Sequence, residues 1–100
     1  MTQILIKSSD SAKEKIVNNI LSQALERERK ILISAIEKTK LHLAEFEQKY
    51  SDSSSQFYDR YLKGLAGDSD DIIDWAGEYQ IYLKLIDKLS SLEDIVFANK

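Results

Sequence analysis

One hundred residues at a net charge of −3, with 43% hydrophobic and 31% charged side chains, describe one small domain with a modest core and argue against wholesale disorder. The lack of cysteine excludes disulfides and thiolate chemistry, and the lack of proline with only three glycines favours long helices over a sandwich or barrel. No apolar run approaches the roughly 20 residues needed to span a bilayer, and the start, MTQILIKSSD, is too short and polar for a secretory signal, so the expectation is a cytoplasmic protein that does not enter membranes.

The charge is uneven along the chain. Residues 1–50 carry 9 Lys/Arg against 7 Asp/Glu, and residues 51–100 carry 5 against 10. The acidic second half repels nucleic acid and attracts a basic partner.

Residues 2–7 (TQILIK) fit one short strand, with Ile4 and Ile6 on one face, or a helical N-terminus. A lone strand is not stable and would need a mate from a second subunit. Ser11 with Glu14 fits a capping box. From there to Tyr50 nothing interrupts a helix. Val17, Leu21, Leu25, Leu32, Ile36, Leu43, Phe46 and Tyr50 form one stripe, with Glu28 and Thr39 in its gaps. A second stripe, Ile16, Ile20, Ala24, Ile31 and Ala35, widens the apolar face in the N-terminal part and predicts a homodimer through residues 16–36. The charged run 26–30 (ERERK) reads as a solvated turn of one long helix; a break there would suggest a ribbon–helix–helix DNA-binding fold.

The run SDSSS at 51–55 ends that helix, and Ser53 with Gln56 opens a short one through Lys63. Gly64 stands where a left-handed C-terminal cap is needed, and Gly67 relaxes the next turn. Asp68 or Ser69 caps a last helix, favoured at its start by Asp70 and Asp71 and running to about Val96. Ile72, Trp75, Tyr79, Tyr82, Ile86 and Leu89 step by threes and fours, a coiled-coil seam. Gly77 inside it costs about 1 kcal/mol relative to alanine, which points to close approach of another backbone. The predicted fold is all-α: a long N-terminal helix, a short connecting helix and a C-terminal helix packed back as an antiparallel hairpin. Residues 1–50 form the dimerisation segment and residues 51–100 an acidic partner-binding segment of the same compact unit.

No catalytic motif, cofactor site or metal site stands out. Asp68, Asp70, Asp71 and Asp74 lack the alternating oxygens, glycine and distal glutamate of a calcium loop, and read as helix capping and solvated acid. His42, the only histidine, has neither an orienting acid nor a nucleophile near it in sequence. Tyr58, Tyr61, Tyr79 and Tyr82 lie among aspartates, which favours core or protein-interface roles over base stacking. Glutamates interspersed among the Lys and Arg of residues 7–40 favour a solvated face over phosphate contacts.

The stretch from Phe46 to Leu89 holds all three glycines, the only Trp and all five Tyr. Its pattern runs Phe46-Glu47-x-Lys49-Tyr50, then Ser54-x-x-Phe57-Tyr58-x-Arg60-Tyr61, then Gly64-x-x-Gly67-Asp68-x-x-Asp71 and Asp74-Trp75, with Tyr79, Tyr82 and Leu85 beyond. This resembles a group of small helical antitoxin-like proteins, common in cyanobacteria and archaea, whose genes sit beside those of small toxins. Two departures stand out: the family often has Gly after the tyrosine matching Tyr50, where this chain has Ser51-Asp52, and Glu is commoner at the position of Asp74. The resemblance covers roughly the C-terminal half. It implies a non-enzymatic antitoxin that binds a cognate small toxin, expected to be an RNA-cleaving one, and holds it inactive. Tyr58, Tyr61, Asp68, Asp71, Asp74, Trp75, Tyr79 and Tyr82 are the candidate partner-binding residues. The alternatives are a helical scaffold or assembly subunit, and a DNA-binding autoregulator of its own operator.

Overall fold

The computed structural model describes residues 11–98, and side-chain surroundings through Ile95. It holds three helices: α1 (Ser11–Tyr50), α2 (Ser54–Leu62) and α3 (Asp70–Ala98). The long helix packs against the C-terminal one, giving the expected all-α hairpin. The strand considered for residues 2–7 lies outside the described residues. Residues 26–30 continue α1 without a break, so the ribbon–helix–helix alternative lacks the break between helices that it requires.

The described chain forms two compact units, residues 35–86 and residues 11–34 with 87–98. These boundaries cut through α1 and α3, whereas the sequence suggested a division near residue 50. In the unit of residues 35–86, Leu43, Phe57, Trp75 and Ala76 form the buried cluster, with Phe46, Tyr58, Tyr61, Ile72, Tyr79 and Tyr82 packed around it. Burying a large apolar side chain contributes about 1.5–3 kcal/mol, so this aromatic cluster dominates the unit's stability. Thr39 fills its place in the buried stripe at low cost, because its hydroxyl donates to the Ala35 carbonyl at 2.9 Å.

In the other unit Leu32 and Leu92 are buried, while Leu21, Leu25 and Leu89 are half-buried. Arg29 lies 3.8 Å from Glu93 and 3.4 Å from Glu26. Partly exposed pairs of this kind contribute about 0–1 kcal/mol, so apolar burial carries that unit too.

The connections use local rules. After α1, Ser51 takes a left-handed backbone (φ 52°) and Asp52 N–H donates to the Glu47 carbonyl at 3.2 Å. Ser53 caps α2, its hydroxyl accepting from Gln56 N–H at 3.2 Å. At the far end, Leu65 N–H donates to the Arg60 carbonyl and Gly64 N–H to the Tyr61 carbonyl, at 2.9 and 3.0 Å, with Gly64 at φ 75°. That is the paired closure for which a helix end recruits glycine. Ser69 caps α3 through Ile72 N–H at 3.3 Å.

Among the described residues, the backbone of its own helix apart, nothing lies within 4 Å of where a Cβ on Gly77 would stand, so no other described segment of this chain makes the close approach expected there.

Candidate functional surface

Trp75 is the hinge of the aromatic cluster. Its ring stacks on Phe57 at 3.8 Å between centroids and 1° between planes, and more loosely on Phe46 and Tyr50. Its indole N–H donates to the Ser54 hydroxyl at 2.9 Å. Ser54 N–H in turn donates to the Glu47 carboxylate at 2.9 Å. One buried serine thus ties the first turn of α2 to both long helices. With 1% exposure, Trp75 cannot touch a partner without opening the core, so its place among the partner-binding candidates is corrected to a core role. The sequence could not separate the two: an aromatic at seam spacing serves either, and what buries Trp75 is Phe57 from α2.

The four tyrosines behave differently. Tyr58, Tyr61, Tyr79 and Tyr82 are half-buried, packed through their rings in a chain of contacts 5.0–6.0 Å apart. Tyr58 and Tyr79 line an open groove of about 650 Å³ with Leu62 and Leu83, rimmed by Ser55, Gln56, Asp59 and Arg60. Leu62 and Leu83 are 66% and 43% exposed. Neither was singled out from the sequence, although each stands four residues after a candidate tyrosine and therefore on its face.

Asp68 and Asp74 are exposed. Asp71 is not a free acid: it accepts from Lys49 Nζ at 2.6 Å and from the Tyr50 hydroxyl. Lys49 first, then Tyr50, hold its carboxyl below the usual carboxylate range, and the same hydrogen bonds raise the pKa values of Lys49 and Tyr50. This network joins the end of α1 to the start of α3. Arg60 similarly pairs with Asp52, holding α2 against the preceding loop.

A second groove, about 380 Å³, runs between α1 and α3. Phe46, Ile73, Gly77 and Ile81 give its apolar surface, and Glu45, Asp74 and Glu78 its rims, with His42 Nδ1 3.3 Å from Glu78. Of the dimerisation candidates, Ile16, Ile20 and Ile31 are exposed, while Ala24 and Ala35 are half-buried.

Among the described residues no group of three or more His, Asp or Glu could hold a metal ion, and no helix is long and apolar enough to cross a membrane. No protein-family profile, no curated protein and no solved structure matches the chain.

Proposed function

We propose that the protein is an antitoxin-like binding module of the cytoplasm that acts as a homodimer and neutralises a small partner protein by covering its active surface. The observation that carries this reading is the open groove of Tyr58, Leu62, Tyr79 and Leu83. Half-exposed tyrosines beside exposed leucines provide rigid, amphipathic anchoring area of the kind that concentrates binding energy at protein interfaces. A groove between helices suits an amphipathic segment of the partner. The excess of acid over base in residues 51–100 suits a basic nuclease. The pattern Gly64-x-x-Gly67-Asp68-x-x-Asp71-x-x-Asp74-Trp75 supports the antitoxin reading over a general scaffold. Here Gly64, Ser69 and Trp75 would supply the frame, and the tyrosines the contact.

The test is to mix the protein with the product of the gene beside its own and to follow complex formation and RNA cleavage together. The reading expects a stable complex and suppressed cleavage. No complex, with cleavage unchanged, removes it.

A further inference from the structure

We propose that the groove between α1 and α3, on the side away from α2, receives a basic amphipathic helix of the partner protein. Gly77 and Ile81 stand two positions before Tyr79 and Leu83, about 200° around α3, so this groove and the tyrosine groove lie on opposite sides of that helix. On α1, His42 and Glu45 stand two positions after Lys40 and Leu43, which with Ser53 and Ser55 line a recess on the α2 side. The short helix therefore covers one side of the hairpin, and among the described residues no helix covers the other. The open side has an apolar floor: Ile73 and Ile81 are 53% and 49% exposed beside Phe46. From Ile73 to Ile81 is about 12 Å, or two turns of helix. At the midpoint Gly77 leaves a notch that nothing outside its own helix approaches within 4 Å, which gives an incoming apolar side chain its room.

Charge decides what kind of helix fits. Glu45 on α1 and Asp74 and Glu78 on α3 form the rims, and no lysine or arginine lines the groove. Among the described residues Glu45 and Asp74 join no ion pair, and Glu78 meets only His42, at 3.3 Å. Lys49, one turn past Glu45, is already held by Asp71, and Lys38 and Lys84 lie a turn beyond the other end. The tyrosine groove differs. Its Asp59 pairs with Lys63 at 3.0 Å and its Arg60 with Asp52, so its charges are matched within the chain. Unmatched carboxylates on both rims of an apolar floor complement a helix whose apolar stripe is flanked by Lys or Arg, and repel one flanked by acid. This deepens the proposed function and rests on its basic partner, whose cationic helix receives a place apart from the tyrosines.

The test uses the full chain and a fluorescent peptide of about 14 residues, long enough to cover the groove, made of leucine on one helical face and lysine on the other. A peptide with glutamate in place of lysine is the control. Fluorescence anisotropy at physiological salt is expected to show saturable one-to-one binding of the lysine peptide and none of the glutamate peptide. Gly77→Leu keeps every charge, fills the notch and adds a better helix former; it is expected to weaken binding by roughly tenfold or more. The triple variant Glu45→Gln/Asp74→Asn/Glu78→Gln keeps the shape and is expected to weaken it by as much. Unchanged circular dichroism and Trp75 emission verify folding. Equal binding by Gly77→Leu means charge attraction without a seat, and overturns the proposal. So does binding that is lost in Leu83→Ser and kept in Gly77→Leu, which moves the peptide to the tyrosine groove. So does a wild type that binds no peptide, whether its groove is idle or filled by a second copy in a dimer that Gly77→Leu splits. Each of these results leaves the tyrosine groove and neutralisation of a partner standing. A peptide seated here, with no complex formed by the protein encoded alongside, removes the antitoxin reading and keeps the groove.

Discussion

The Trp75 indole N–H and the Ser54 hydroxyl, 2.9 Å apart and both buried, fasten the last helix to the first turn of the short one. Replacing Ser54 with alanine leaves a buried donor without its acceptor, which costs about 1–3 kcal/mol. Trp75 is the only tryptophan, so its fluorescence during urea unfolding reports the change directly. The expected outcome is a lower midpoint with an unchanged slope.

Phe57 tests the other side of the same ring. It is 1% exposed and stacked flat on Trp75. Phe57→Ala removes the ring that buries the indole, and such truncations cost about 3–5 kcal/mol. Thermal unfolding is expected to show a large loss of Tm, with red-shifted Trp75 emission in the folded baseline.

Much of this frame was legible beforehand. The period of the apolar stripe located Leu32, Ile36, Thr39 and Leu43, all of which are buried. Cap chemistry located the ends at Ser53 and Gly64 and narrowed the start of the last helix to Asp68 or Ser69, of which Ser69 makes the cap. Local backbone demand is written in local residues, so these features could be read. The role of Trp75 was not, because its burial depends on Phe57, eighteen positions away and on another helix. Nor was the Tyr58–Leu83 groove, which exists only once α2 meets α3. Gly77 was read as a close approach of another backbone, and no other described segment of this chain makes one.

Ser51 is the only described residue other than glycine with positive φ. It also occupies the position where the antitoxin-like pattern often has glycine. Left-handed backbone costs a side-chain-bearing residue about 1–2 kcal/mol, and the extra freedom of glycine in the unfolded chain offsets about 0.5–1 kcal/mol of any gain. Ser51→Gly is therefore expected to stabilise the protein by about 0.5 kcal/mol net, seen as a small rise in the urea midpoint. A drop would contradict the strain argument.

The Lys49–Tyr50–Asp71 network sets a pH window. The carboxyl of Asp71 is lowered by Lys49 and then Tyr50, so its contribution is present at neutral pH and is lost as pH falls through the folded-state value, below the usual carboxylate range. Lys49 and Tyr50 are raised, chiefly by their hydrogen bonds to Asp71, so theirs is present at neutral pH and is lost as alkaline pH passes through their folded-state values. The group is solvent-facing, so the effect is small. Asp71→Asn is expected to flatten the stability profile at both extremes, measured as urea midpoints against pH.

The binding claim rests on the groove of Tyr58, Leu62, Tyr79 and Leu83, and one titration tests it most directly. Calorimetry with the protein encoded beside this one would compare the wild type with Leu83→Asp, an exposed change that leaves the Trp75 core untouched. The account predicts a loss of affinity of roughly tenfold or more, with the same circular dichroism and Trp75 emission. Equal affinity for the two proteins would contradict it.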